Sequence, residues 1–346
     1  MRSNKQAGSA EVARQGGHVA EMQRRRLLLA FGEVASTSGL ETATVGRVCE
    51  QAAVSRRTFY ELFSDREDCL LAAFDQATER FAHRVRPAFE AKGSWRDRVR
   101  GALSLLLEQL DAEPDLARLC IVEAPRAGQE LLERRRQVLE TLAAAVDEGR
   151  AHTRSGSGPP PLTAQGVVGG VLSVIHARLL ESSDSAPASR VTPAPQQNGR
   201  AKPAGGTDVH GTGALVDLTN PLMAMIVHPY LGSTAAQKEL ERPAPPAQRS
   251  SPRNGADPFK GLPIRFTYRT ARVLDTIAAE PGASNRHIAD TSGIADEGQM
   301  SRLLRRLESC ELIENRGQGH ARGEPNAWAL TGRGQAIQAA IAVQTT

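Results

Sequence analysis

Between Thr44 and Phe63 the sequence TVGRVCEQAAVSRRTFYELF holds two helix starts and one tight turn within twenty residues. Thr44 precedes VGRVCEQAA and Ser55 precedes RRTFYELF, so each short helix has a hydroxyl placed to cap its first free N–H groups. Val45, Val48 and Ala52 recur at helical spacing, Val54 closes the turn, and Phe59 and Phe63 can anchor the second helix on a core. This leaves Arg56, Arg57 and Tyr60 pointing outward. Two short helices joined so tightly, the second carrying outward cations at its start, form a helix-turn-helix.

That geometry suits the major groove of DNA. Arg56 and Arg57 are placed for bidentate contacts to guanine edges. Thr44, Ser55, Thr58 and Tyr60 are hydroxyl donors for phosphate oxygens, which fix register rather than sequence. Arginines at a helix start oppose the positive end of the helix dipole, which argues for a compensating role. The run Arg24 to Arg26 on the preceding helix reads first as a solvated charge run, with approach to DNA as the alternative.

The stretch AAVSRRTFYELFSDRED resembles the signature of TetR-family regulators over about residues 21–75. The resemblance implies a three-helix DNA-binding head followed by a helical domain that dimerises and binds a small molecule. It assigns DNA contacts to Thr44, Arg56, Arg57, Thr58 and Tyr60, and places Arg66 near a phosphate. The sequence departs from the family pattern twice. Ala53 stands where the turn usually has glycine, a cost of up to about 1 kcal/mol if φ there is positive. Leu62 replaces a His or Tyr.

The chain has 346 residues, with 40% hydrophobic, 24% charged and only 4% aromatic residues, which favours a mainly α fold in two or three domains. The expected organisation is a disordered arm at 1–20, the helix-turn-helix domain at 21–65, and a helical regulatory and dimerisation domain at 66–241. Helical segments are predicted at about 66–87, 95–112, 114–124, 129–150 and 163–182, with a last helix running to about Glu241. Residues 183–213 are rich in Pro, Ala, Ser and Gly and read as a disordered insertion, and 242–260 as a linker. In the bundle, Gly166, Gly169 and Gly170 permit close approach of another helix, and PLMAMIVHPYLG is apolar on nearly every side. A dimer seam and a merely buried helix pair both fit that pattern. His176, His228, Met223 and Met225 read as core or interface residues, so no ligand residues are named.

From 261 to 346 the pattern is helix, helix, helix and then ELIENRG and NAWALTG, two apolar runs around a Gly-rich tip. Met300, Leu303, Leu304 and Leu307 share one helical face, while Arg302 and Arg305 fall on the other, flanked by Gln299, Ser301 and Arg306. Arg316, His320 and Arg322 lie at the tip, within reach of a minor groove or phosphates. This segment resembles the winged-helix domain of MarR-type regulators. Four glutamates, Glu308, Glu311, Glu314 and Glu324, offset the arginines, so DNA binding and protein docking or dimerisation remain two readings of it.

No nucleophile beside a base, phosphate loop or metal-ligand spacing is present in the sequence, and Cys49, Cys69, Cys120 and Cys310 read as reduced packing residues. The expectation is a non-enzymatic, cytoplasmic, homodimeric regulator, most simply a repressor. Its partners would be an operator in double-stranded DNA and, if one exists, a small-molecule inducer. No cofactor, metal or membrane is expected. The formal charge of +4 agrees with a nucleic-acid partner but does not by itself select one.

Overall fold

A computed structural model describes residues 3–153, 158–184, 214–243, 262, 264, 267–294, 296–317 and 326–342. The described chain is mainly helical, with one two-stranded sheet, as the composition predicts. It divides into two compact units, one made of Met1–Ala73 with Arg253–Thr346, the other of Phe74–Pro252.

The first unit begins with α1 (Ser3–Ser38), a helix of 36 residues. The expected disordered arm is thus helical from Ser3 onward. Its sequence holds Ala, Glu, Gln and Arg without proline, and Val19 and Met22 gain a buried contact that a search for a dense apolar stripe overlooks. A short 3-10 turn at Leu40–Thr42 leads to α2 (Val45–Ala52) and α3 (Arg56–Leu62), both packed against α1. Leu27, Leu28, Phe31, Val48, Phe59 and Leu70 are almost wholly buried in this head. Cys69 is buried as well, and desolvation, aided by Asp68, pushes its thiol up to about 12.

The C-terminal segment of this unit consists of α11 (Tyr268–Ala279), α12 (Asn285–Ser292), α13 (Glu297–Ser309), strands β1 (Ile313–Asn315) and β2 (Trp328–Leu330), and α14 (Gly332–Ala342). The strands are antiparallel, with Ile313 opposite Leu330 and Asn315 opposite Trp328. Ala283 adds an isolated bridge to Trp328. Three helices and a hairpin match the sequence reading, whereas α14 is additional: its Gly-rich start hid a helix that buries Ile337. The expected separate domain at 261–346 is instead continuous with the N-terminal head. Val19 and Met22 of α1 join Leu262, Ile264, Val273, Leu274, Ile288, Leu304, Leu307 and Trp328 in one apolar core.

The second unit contains the C-terminal part of α4 (Arg66–Phe89), then α5 (Trp95–Ala112), α6 (Pro114–Arg118), α7 (Gln129–Asp147), α8 (Thr163–Asp184), α9 (Thr219–Leu231) and α10 (Ser233–Leu240). The helix expected over 114–124 changes to π-type hydrogen bonding at Leu119–Glu123. The expected last helix is broken at Gly232, whose φ of 81° separates α9 from α10. By length and composition α8 is apolar enough to cross a membrane over Thr163–Ser182. Its Val167, Val168, Val171, Ile175 and Leu179 instead enter the core of the bundle. The insertion lies outside the described residues over 185–213, and the chain after it is anchored by Asp111, which accepts from the backbone N–H of Leu215 (2.9 Å) and Val216 (3.0 Å).

Arg100 and Glu239 are both buried, and they join α5 to α10. Arg100 Nε donates to Glu239 Oε2 at 2.8 Å and its Nη1 to Asn220 at 2.9 Å, while Arg96 reaches Glu239 Oε1 at 3.1 Å. A buried pair is costly to break because one charge is left uncompensated. Arg100→Met is expected to destabilise this unit by about 3 kcal/mol, read as a lower urea midpoint of its helical signal. Arg100→Met/Glu239→Leu should recover much of the loss.

Candidate nucleic-acid interface

The local geometry of α2 and α3 follows from their caps. Thr44 Oγ1 accepts from Arg47 N at 3.4 Å, and Ser55 Oγ accepts from Thr58 N at 3.1 Å. Between the helices Ala53 adopts φ 50° and ψ 43°, the left-handed conformation that a non-glycine residue enters at a cost. Val54 N donates to Cys49 O at 3.0 Å, and the Val54 side chain is buried, so the turn is closed both by backbone and by packing. Phe59 is buried beneath α3 and meets Phe63 with ring centres 5.5 Å apart.

The outward side of α3 carries Arg56, Arg57 and Tyr60, as the spacing predicts. The Arg57 side chain is 90% exposed and pairs only with Glu61 four residues on, Nε to Oε1 at 2.9 Å. Such an exposed pair is weak and gives way to a stronger anion. Tyr60 is 59% exposed, its ring held edge-on to Phe59 at 5.4 Å. Arg56 lies back along α2: a Cβ built on Gly46 would stand 2.8 Å from Arg56 Nη2. Gly46 therefore leaves room for the guanidinium, a role that the sequence analysis did not assign. Arg47 is a further exposed cation at the start of α2, beside exposed Thr44.

Three predicted residues are occupied with the fold. Ser55 and Thr58 share a hydroxyl contact of 2.9 Å within the α3 cap. Arg66, expected near a phosphate, is a strut of the head. Its Nε donates to Ala43 O at 3.0 Å and its Nη2 to Leu40 O at 2.6 Å, with the guanidinium 5.8 Å from the centre of the Phe31 ring. The backbone carbonyls at and just after the Leu40–Thr42 turn attract this cation, a tertiary contact that no local pattern announces.

In the C-terminal segment, Asp296 caps α13 by accepting from Gln299 N at 3.0 Å, and that bond holds its carboxyl below the usual carboxylate range. Met300, Leu304 and Leu307 are buried, Leu303 is half-buried, and Arg302, Arg305 and Arg306 lie on the exposed side. Ser301 is half-buried, and Gln299 Oε1 accepts from Arg269 at 3.2 Å. Arg316 is paired with Glu314 at 2.7 Å. His320 and Arg322 lie outside the described residues. The base of the β1–β2 hairpin is fixed by an asparagine chain: Asn315 donates to Asn326 (2.8 Å), Asn326 to Asn285 (3.1 Å), and Trp328 Nε1 to Asn285 (2.5 Å).

The second unit holds a half-open apolar cavity of about 280 Å³, lined by Val85, Phe89, Leu103, Leu142, Val171 and Ile226 among others. An adjoining hollow of about 160 Å³ shares Ala82, Val85, Leu106, Leu142 and Leu172, and adds Cys120 and Arg135. His176 and His228 line neither space. Gly166 and Gly169 have no side chain within 4 Å of where a Cβ would stand, whereas Gly170 is packed against Met225.

No protein-family model matches the chain, and no curated protein matches it in sequence. Among solved structures it is similar to the fatty acid degradation regulator FadR from Bacillus halodurans, with 18% identity over 59% of this chain and 97% of that one and a TM-score of 0.46. The transcriptional regulator FadR from Bacillus subtilis, solved in complex with stearoyl-CoA, gives the same values. A TetR family transcription regulator from Marinobacter aquaeolei VT8 matches with 21% identity over 48% of this chain and 88% of that one, at a TM-score of 0.40.

The left-handed Ala53 makes one local prediction. Ala53→Gly relieves the contact of Cβ with its own backbone, and the head should gain about 0.5–1 kcal/mol of stability, measured by thermal unfolding. An unchanged or lower midpoint would contradict the strain.

Proposed function

We propose that the chain is a sequence-specific DNA-binding transcriptional regulator that acts as a homodimer, most simply as a repressor. The observation that carries this reading is α3 itself. A capped, seven-residue helix is locked to its core by buried Phe59, and it presents Arg56, Arg57 and Tyr60 on the open side, behind a closed turn. Contacts to base edges come from Arg56 and Arg57, while Thr44, Arg47 and Tyr60 serve phosphates. Ser55, Thr58 and Arg66 contribute by holding α2 and α3 in place.

Dimerisation is assigned to the bundle. Gly166 and Gly169 leave α8 open to a second helix, and Val174 on the same helix is exposed. The cavity gives the inducer its chemistry: the lining is aliphatic and aromatic, with Arg86 and Arg135 as its cations, which suits a largely hydrocarbon ligand with an acidic group. Binding would shift the dimer between DNA-competent and incompetent states through its different affinity for the two.

For the winged helix, exposed Arg302, Arg305 and Arg306 favour a second DNA contact, and this is the reading adopted. Protein docking is the second reading, favoured by the Arg316–Glu314 pair, which neutralises a cation next to the wing.

Fragments selected from genomic DNA and titrated by fluorescence anisotropy test the proposal. Arg56→Ala/Arg57→Ala should weaken binding to the selected site by at least about 30-fold, as expected for the loss of 1–3 kcal/mol at each of two bidentate contacts. Affinity of the unaltered protein should fall steeply with salt. Binding that is indifferent to both the substitution and the salt would overturn the assignment.

A further inference from the structure

α1 carries two buried faces in succession. Val19, Met22 and Arg26, spaced i, i+3, i+7, belong to one; Leu27, Leu28, Phe31 and Ala35 form the other. At about 100° per residue, the two sets are centred roughly 150° apart around the helix, so they look in nearly opposite directions. The second set faces the head, where α1 packs on α2 and α3. The first faces the winged helix: Val19 and Met22 are part of its core, and α1 packs on α11 and α14.

Arg26 completes this first face. Read from sequence as part of a solvated charge run, it is only 4% exposed. Its Nη1 donates to Ile264 O at 2.6 Å and its Nη2 to Leu262 O at 2.8 Å. Leu262 and Ile264 are themselves buried in the winged-helix core, so the guanidinium clamps the chain where it enters that domain. Buried charge-assisted bonds of this kind hold one geometry, because releasing them would strand a cation without water.

We propose that α1 welds the helix-turn-helix and the winged helix into a single DNA-reading body, so that the duplex elements read by α3 and α13 must stand at one fixed separation. The inference rests on the reading of α13 as a DNA contact. Were the two heads without contact with each other, each could find its element over a range of distances. Here the two faces sit on neighbouring turns of one helix, with centres roughly 13 Å apart along its axis, a span over which an α-helix scarcely bends.

The test uses the full chain and a selected DNA containing both elements, with 5 or 10 base pairs inserted between them. The intact protein should lose at least about tenfold in affinity with either insertion, down to the level of a probe holding the α3 element alone. Met22→Ser/Arg26→Met should flatten that dependence while keeping its affinity for the α3 element alone, which serves as the control for folding. Equal binding of the intact protein to all three spacings would overturn the weld. If Arg302→Ala/Arg305→Ala leaves affinity for every probe unchanged, the DNA-reading role of α13 fails, and the proposal with it. Hydrogen exchange then judges the joint separately. Faster exchange of α11 amides in Met22→Ser/Arg26→Met supports a mechanical joint, and unchanged exchange refutes it.

Discussion

The bonds from Arg26 to the carbonyls of Leu262 and Ile264 connect residues 236 and 238 positions apart, and the first unit depends on them. A guanidinium withdrawn from water needs acceptors with the right geometry, and two carbonyls ahead of α11 supply them. Around that contact the rest of the unit becomes intelligible. Val19 and Met22 exclude water from one side of α1, Leu27, Leu28 and Phe31 do so from the other, and one helix becomes the shared wall of two cores. A helix with two opposed apolar segments shows no single stripe along its length, so its character is visible only when each half is considered with its partner.

The α2–α3 turn was legible in the sequence because its chemistry is local. Thr44 and Ser55 cap the helices that follow them, and Val54 and Phe59 pack where their spacing puts them. Ala53 was legible too: the position calls for a left-handed residue, and the observed φ of 50° is the strain that alanine there implies. In α13, Met300, Leu304 and Leu307 divide from Arg302 and Arg305 as the helical period requires. The long amphipathic segments of the bundle fall close to where α4, α5, α7 and α8 lie.

What escaped the sequence depends on partners distant in the chain. Arg66 and Arg26 look like surface cations until the carbonyls that take them are known. The room that Gly46 gives Arg56 is likewise a relation between two helices, not a property of either. Among the arginines of this chain, burial separates the structural ones from those available to an anion. Arg26 and Arg100 are enclosed with their acceptors, whereas Arg57, Arg302 and Arg305 face solvent. The same composition thus supplies both struts and contacts, which is why net charge alone says little about function here.

The first unit is assembled from the two ends of the chain, with the whole of 74–252 lying between them. During synthesis α1 leaves the ribosome long before α11 to α14 exist. The head can close on Leu27, Leu28 and Phe31 at once, but Val19, Met22 and Arg26 must wait with their faces uncovered until residues 262 onward arrive. The bundle, contiguous in sequence, has time to form in the interval. A chain lacking residues 262 onward would leave Val19, Met22 and Arg26 without these partners and present an apolar and cationic strip to chaperones and proteases.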